Sequence, residues 1–220
     1  MLTFRLPEDP GLPLRLLCLG AHCDDIEIGC GGTVLQLASS RPKLDVGWVV
    51  FSSTNQREQE ARAAASLFLE QATGQTHVII RNFRDGFFPY QGAEIKEFFE
   101  ELKNEFDPDL IFTHYRGDRH QDHRTISDLT WNTWRHQLIL EYEVPKYDGD
   151  LGTPNFFVPL EQDICARKAR YICNAFQSEG KKAWMTEDIF IAVLRLRGIE
   201  CAAPQKHAEA FHCRKLVLRP

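Results

Sequence analysis

The sequence has no apolar run that approaches the length of a membrane span. About 20 consecutive apolar residues are needed to cross a bilayer, so we expect no transmembrane helix. Residues 1–13 contain Glu8 and Asp9 and lack the basic start and apolar stretch of a secretory signal. We therefore expect no signal peptide at this end.

The chain also lacks an excess of basic residues. Lys and Arg total 26 against 31 Asp and Glu, which gives a net charge of −5. A protein dedicated to nucleic acid binding needs a positive field to hold the phosphate backbone. The charge balance therefore argues against a nucleic acid partner.

Paired cysteine motifs are absent. The seven cysteines are an odd number, and none of them forms the CxxC spacing of a zinc ribbon or a redox site. Several lie inside apolar runs, where a thiol behaves as a small buried side chain. This usage predicts free thiols and a reducing, cytoplasmic location.

What is present is the composition of an ordinary globular domain. Apolar residues make up 43% and charged residues 26% of the 220 residues. Chains of 200–250 residues commonly form one α/β domain, and no linker or internal repeat interrupts this one. We predict a single domain over residues 1–220.

Short apolar runs alternate with segments of helical spacing along the first 140 residues. This order predicts an α/β fold of Rossmann-like type, with a mostly parallel sheet and helices on both faces. Strands are expected at 14–20, 46–51, 77–80 and 109–113. Helices are expected from about Thr33 after a glycine cluster, and at 56–70, 93–106 and 124–137.

The segment at about 144–159 departs from this pattern. It is rich in Pro, Gly and aromatic residues and has no clear period, so we expect an irregular insert that lines a substrate entrance or an oligomer contact. Two further helices at 161–177 and 183–196 and a strand within 208–218 are expected to follow it.

Two polar runs follow the first and fourth predicted strands. They contain His22, Asp24 and Asp25 in the first run, and His120, Asp122 and His123 in the second. Open α/β sheets bind ligands beyond the carboxyl ends of their strands. If these strands are neighbours, both runs face one cleft. The other histidines are expected to be packed or hydrogen-bonded residues: His77, His114, His136, His207 and His212.

A cleft with this many carboxylates and imidazoles favours a divalent cation. Two imidazoles and one carboxylate suit zinc and leave positions open, although iron(II) accepts the same donors. Spacing alone allows His120, His123 or both to ligate, because residues three apart share a helix face. Asp24 and Asp25 point in different directions, so one can bind metal while the other acts as a general base.

Hydrolysis of an amide or ester is the chemistry that such a site performs. A metal-dependent hydrolase of another ester or a phosphoester bond is an alternative, and phosphoester hydrolysis often uses two metals. A non-catalytic nucleotide-binding cleft is disfavoured, because the GCGGT run lacks the full GxGxxG spacing and the Lys-Ser/Thr of a P-loop.

The two runs resemble the motifs of the LmbE-like family, also called the PIG-L N-acetylglucosaminyl deacetylase family. AHCDDIEIGCGGT is similar to the family's AHPDD motif, and HQDHR is similar to its HxDH motif. The resemblance implies a Rossmann-like hydrolase that removes acetyl groups from N-acetylated amino sugars or sugar conjugates with a divalent metal, commonly zinc. A small amino-sugar substrate is thus expected, and a homo-oligomer stays open.

Roles for individual residues follow from the same resemblance. It implies His22, Asp25 and His123 as metal ligands and Asp24 as the general base. His120 would stabilise the oxyanion as a cation, with Asp122 orienting it and raising its pKa. Arg57 is expected to face the cleft and bind substrate.

One position departs from the family pattern. Cys23 stands where the family usually has proline, and we expect its side chain to point away from the metal.

Overall fold

The computed structural model describes residues 2–6 and 11–218, and within them seven strands form one sheet. The strands are β1 Leu14–Gly20, β2 Leu44–Val50, β3 Thr76–Ile80, β4 Leu110–His114, β5 Leu138–Tyr142, β6 Phe156–Pro159 and β7 Ala208–Cys213. The α-helices are α1 Asp25–Ser40, α2 Asn55–Phe68, α3 Gly92–Glu105, α4 Gln121–Thr133, α5 Gln162–Ala175 and α6 Glu187–Glu200.

The strand order across the sheet is β3-β2-β1-β4-β5-β7-β6. The first five strands in this order are parallel, and β7 pairs antiparallel with both β5 and β6. The predicted α/β class with a mostly parallel sheet is therefore confirmed. Strands β1 and β4 are neighbours, with Cys18 opposite Phe112, so the two polar runs leave the sheet side by side.

Apolar layers cover both faces of the sheet. One layer contains Trp48, Phe68 and Phe211, and the other contains Phe51 and Phe99, all of them fully buried. This two-sided burial explains why the central strands are continuous apolar runs rather than alternating ones. Among the described residues, no helix is long and apolar enough to cross a membrane.

Helix α1 begins eight residues earlier than predicted, at Asp25 instead of near Thr33. The glycines lie inside the helix because its surface meets large rings at close range. A Cβ at Gly29 would lie 2.0 Å from the Tyr142 ring, and one at Gly31 would lie 2.5 Å from the Phe68 ring. Glycine therefore serves close packing here rather than a loop before the helix.

The region after α4 contains strands that the sequence did not predict. Helix α4 ends at Thr133, four residues before its predicted end, and β5 follows at Leu138–Tyr142, where no element was predicted. The expected irregular insert ends in strand β6. A buried ion pair between Arg197 and Glu143, 2.8 Å apart, supports the loop between these strands. Glu143 also accepts a hydrogen bond from the Gly152 amide, 2.7 Å away.

A second buried ion pair clamps helix α1 from the C-terminal half of the chain. The Lys168 ammonium on α5 lies 2.6 Å from the Glu209 carboxylate on β7 and donates to the Ile28 carbonyl at 2.7 Å. Glu209 also accepts hydrogen bonds from the amides of Gly32 and Thr33, each at 2.7 Å. We call this group the α1 clamp.

Candidate active site

The polar runs converge beyond the carboxyl ends of β1 and β4. His22 follows β1, and Asp25 is the first residue of α1. His120 precedes α4 as its N-cap, and His123 lies in the first turn of that helix. The adjacency of the two strands thus brings residues separated by about a hundred positions into one cleft.

The three predicted metal ligands lie close enough together to share one ion. His22 Nδ1 is 3.2 Å from His123 Nε2 and 3.4 Å from Asp25 Oδ2, and His123 Nε2 is 3.4 Å from Asp25 Oδ1. Donors bound at about 2.0–2.1 Å to a tetrahedral zinc ion are separated by about 3.4 Å. The donor set and its spacing therefore fit a single divalent cation.

His114, the last residue of β4, is a member of the cluster that sequence reasoning missed. It is buried and hydrogen-bonded as expected, with its Nε2 accepting from the Ala21 amide at 2.9 Å. The same nitrogen is 3.2 Å from Asp25 Oδ2, and the imidazole stacks on that of His123 at 3.9 Å. Asp25, His114 and His123 thus form an alternative donor group, as do His22, His120 and His123.

Asp118 fixes the orientation of His123 from behind. Its Oδ2 lies 2.8 Å from His123 Nδ1, and its Oδ1 accepts from the His120 amide at 2.7 Å. Burial raises the pKa of the Asp118 carboxyl, but the hydrogen bond and charge of His123 outweigh it and hold this pKa well below its usual range. A carboxylate on the outer nitrogen of a metal-binding histidine sets its tautomer and direction.

Asp24 and Asp25 point to different partners, as expected for adjacent residues. Asp25 faces the imidazoles, while Asp24 Oδ1 accepts from Arg57 Nη2 at 3.1 Å. Burial raises the pKa of Asp24, and the Arg57 charge only partly opposes this. Arg57 lies 3.6 Å from Glu179 on its other side. Arg57 therefore reaches the cleft, as expected, where it contacts the Asp24 carboxylate.

The expected contact between the Asp122 carboxylate and His120 is wrong. Asp122 accepts instead from the amides of Gly86 and Phe88, at 2.6 and 3.1 Å, and lies 3.4 Å from His22 Nε2. His120 Nδ1 accepts from the backbone amide of Asp122 at 3.3 Å, as an N-cap. Burial, followed by the charges of His123 and His22, lowers the pKa of His120; the Asp122 charge raises this pKa, as expected, but does not outweigh them.

Cys23 points away from the cluster, as expected. Its Sγ donates to the Ser52 carbonyl at 3.4 Å, and burial raises the pKa of this thiol to about 12.

Glu27 in the first turn of α1 is fully buried, and neither of its carboxyl oxygens has a hydrogen-bond partner within the described part of the chain. Burial raises the pKa of Glu27 well above its ordinary value.

A cavity of about 320 Å³ opens over the cluster. This volume lies at the lower end of the roughly 300–1,000 Å³ range of small-molecule sites. Part of the lining comes from the polar runs and their neighbours: His22, Asp24, Asp25, Ile28, Arg57, Asp85, His120 and His123. The rest comes from two later segments of the chain: Val144, Lys146, Tyr147, Asp148, Lys182 and Trp184.

The fold and the donor cluster define an α/β protein with a candidate metal site at the carboxyl ends of its parallel strands. Residues 17–134 match the family model described as PIG-L: GlcNAc-PI de-N-acetylase, and the chain belongs to this family. Both polar runs lie within the matched region.

Individual relatives agree with this assignment. The chain is 30% identical over 143 residues to an uncharacterized deacetylase, YaiS, of Escherichia coli K12, which covers 59% of this chain and 74% of YaiS. The structure is similar to that of N,N'-diacetylchitobiose deacetylase from Pyrococcus horikoshii, with a TM-score of 0.67, 19% identity, and coverage of 90% of this chain and 83% of that one.

The same fold also carries a different chemistry. GalB of Pseudomonas putida KT2440, a 4-carboxy-2-hydroxymuconate hydratase, has a TM-score of 0.65 and 15% identity, with coverage of 94% of this chain and 98% of that one. At these identities the structural likenesses show the fold alone. Function must therefore be argued from the site.

Proposed function

We propose that this protein is a metal-dependent N-deacetylase that hydrolyses the acetyl group from the nitrogen of an N-acetylated amino sugar or sugar conjugate. The observation that carries the proposal is the close approach of His22, Asp25 and His123, whose donor atoms lie 3.2–3.4 Å apart through both Asp25 oxygens. The Asp24 carboxylate lines the same cavity and pairs with Arg57 instead of the imidazoles. Family membership and the names of the relatives supply the substrate class.

We assign zinc as the metal, held by His22, Asp25 and His123. Two imidazoles and one carboxylate form a common catalytic zinc set, and iron(II) accepts the same donors. When bound, the metal supplies Lewis acidity to the attacking water and to the amide carbonyl. Asp118 keeps His123 Nε2 directed to this position by holding the other nitrogen of its imidazole.

Asp24 is the proposed general base. It is 5% exposed and bonded to Arg57, which leaves one carboxylate oxygen for a water in the cavity. Burial raises the pKa of Asp24, so its carboxylate has a higher proton affinity than an exposed one. This favours the transfer of a proton from water to Asp24, which then protonates the leaving amine. The position of Arg57 indicates that it orients Asp24 as well as lining the substrate cavity.

His120 is the proposed donor to the developing oxyanion, in a modified role. Its Nδ1 accepts the Asp122 amide hydrogen, so a neutral imidazole carries its proton on Nε2. This tautomer can donate one hydrogen bond to the carbonyl oxygen without a positive charge. Asp122 contributes by fixing the loop after β3 through the Gly86 and Phe88 amides.

Two substitutions separate metal binding from acid–base chemistry. Asp25→Asn is expected to abolish bound zinc. Asp24→Asn is expected to retain zinc and to reduce acetate release from N,N'-diacetylchitobiose or N-acetylglucosamine by about 10²- to 10⁴-fold. The exposed carboxylate of Asp128, paired with Arg116, provides the control Asp128→Asn, which should match the wild type. Wild-type turnover by Asp24→Asn would exclude the mechanism.

One observation favours a second candidate, a two-metal phosphoester hydrolase. His22, Asp85, His120 and Asp122 form another donor group at the same cleft. Two ions in such sites lie about 3.5–4 Å apart. A stoichiometry of two metals per chain, with phosphate release and no acetate release, would support this function over the first.

The proposed location is cytoplasmic. All seven cysteines are free thiols in the structure, which is the usual state of cysteines in a reducing compartment. Four of these thiols are also buried and therefore shielded from oxidants: Cys18, Cys23, Cys30 and Cys165.

A further inference from the structure

Part of the cavity lining comes from residues outside the region that matches the family model. Residues 144–148 and 182–184 lie beyond residues 17–134, and they contribute Lys146, Tyr147, Lys182 and Trp184 to the lining. We call these two segments the outer wall. Its chemistry therefore lies outside the part of the chain that matches the family model.

The outer wall is held in a fixed position relative to the metal ligands. Lys146 Nζ lies 2.9 Å from Asp118 Oδ2, the same oxygen that contacts His123. It also donates to both oxygens of Asp150, at 2.8 and 2.7 Å. A single ammonium group thus connects the wall to the support of a proposed ligand.

The two segments of the wall are also joined to each other. The Tyr147 hydroxyl accepts a hydrogen bond from the Ala183 amide at 3.3 Å. Trp184 packs partly against the main apolar core, and the Lys182 ammonium lies 5.2 Å above its indole. Each aromatic side chain of the lining therefore has one contact that restrains it, which reduces the conformational entropy lost when a ligand packs on it.

The composition of the lining indicates what the wall contacts. Ile28 and Val144 are the only aliphatic side chains of the lining within the described residues, so the lining offers few aliphatic contacts to a long acyl chain. Tyr147 is 74% exposed, and charged groups of Lys182 and Asp148 lie beside the aromatic side chains. Aromatic side chains bordered by polar groups match a pyranose, which has C–H faces and hydroxyl edges.

We propose that Tyr147 and Trp184 form a subsite for a second sugar ring of a glycosidic substrate. The acetylated ring then occupies the cavity floor over His22, Asp24 and Asp25. This assignment rests on the proposed function and adds to it the substrate class, a disaccharide or longer glycoside with a short N-acyl group.

The test compares one-ring and two-ring substrates. Acetate release is measured with N-acetylglucosamine and N,N'-diacetylchitobiose for the wild type, Trp184→Ala and Tyr147→Ala. Removing one ring face is expected to raise KM for the disaccharide about five- to tenfold, with kcat nearly unchanged and less than a twofold effect on the monosaccharide. Tyr90→Ala is the control, because Tyr90 is 83% exposed and does not line the cavity.

Trp184→Phe keeps an aromatic side chain and is expected to restore most of the disaccharide preference, which separates ring contact from loss of core packing. Equal effects of Trp184→Ala on both substrates, or no effect of either alanine variant, would overturn the subsite.

A binding measurement separates this proposal from the proposed function. Calorimetry with the zinc-loaded wild type is expected to show tighter binding of chitobiose than of glucosamine, and Tyr147→Ala and Trp184→Ala should each reduce the difference. If the wild type releases no acetate from either substrate, the proposed function fails, and the subsite is then judged by binding alone. Equal affinities of the two saccharides would reject it.

Discussion

Two clusters of buried charge border helix α1, and they differ in how completely they are satisfied. In the α1 clamp, the Lys168 ammonium pairs with Glu209, and each charged group has further partners on the α1 backbone. At the cleft, carboxylates and imidazoles face each other, and His114 Nδ1 and both Glu27 oxygens lack partners among the described atoms. The clamp is balanced within the chain, whereas the cleft has donors for a cation.

This difference separates structural charge from functional charge. A buried ion pair with complete hydrogen bonding fixes a fold and offers nothing to a ligand. A group of buried donors without a cation has a desolvation cost that metal binding relieves. Burial alone does not distinguish the two clusters, since Glu209 and Asp25 are equally 3% exposed. Their partners do.

Breaking the clamp is expected to give the largest change in stability. Lys168→Met leaves the Glu209 carboxylate buried without its cation, and such losses cost about 3–5 kcal/mol. The free energy of unfolding from urea titrations measures the effect. Zinc affinity of the folded fraction should stay within about twofold of the wild type. An exposed ion pair provides the control, Glu58→Gln opposite Arg62, which should change stability by less than about 1 kcal/mol.

Loading the cleft with metal is expected to give the next largest effect. Zinc at 100 times its dissociation constant should raise the free energy of unfolding by about 2.7 kcal/mol, because it binds the folded state only. Thermal unfolding with and without zinc measures this increment. Lys168→Met should retain the increment despite its lower starting stability, whereas Asp25→Asn should lose it. An increment that survives in Asp25→Asn would place the metal elsewhere.

A third charge cluster sharpens the comparison from the exposed side. Arg15 lies 2.7 Å from both Asp107 and Asp109 at the amino ends of β1 and β4. The Arg15 side chain is 44% exposed, so water screens these ion pairs. Arg15→Gln is expected to cost less than about 1 kcal/mol of stability and to leave zinc affinity unchanged. A loss close to that of Lys168→Met would show that exposure does not decide the energetics.

The sequence predicted the part of the site that is encoded locally. Each ligand run follows a strand, and parallel strands end at one edge, so the convergence of His22 and His123 followed from the order of elements. The role of Asp118 could also have been predicted from the sequence, because it lies five residues before His123 in the same run. The start of α1 was misplaced because glycine is a poor helix former, and the glycines are explained only by the rings of Tyr142 and Phe68 on distant elements.

The remaining features depend on contacts between distant segments. Asp122 and His120 are two residues apart, but the N-cap geometry turns the carboxylate to Gly86, 36 residues away. Lys146 meets Asp118 across 28 residues, and Glu209 meets α1 across 177. No periodicity in a single sequence encodes such pairs. The clamp was therefore found only in the structure. Of the outer wall, only residues 144–148 had been expected near a substrate entrance, as part of the irregular insert.

The hydrogen bond from the Ala183 amide to the Tyr147 hydroxyl has a consequence for the redesign of this protein. Since the outer wall supplies no proposed ligand, libraries that randomise residues 147–148 and 183–184 together are expected to alter the proposed glycoside preference without changing the proposed metal donors. Both segments must vary in concert, because each one braces the other. Lys146 should be left constant in such a library, since its ammonium also contacts the carboxylate behind His123.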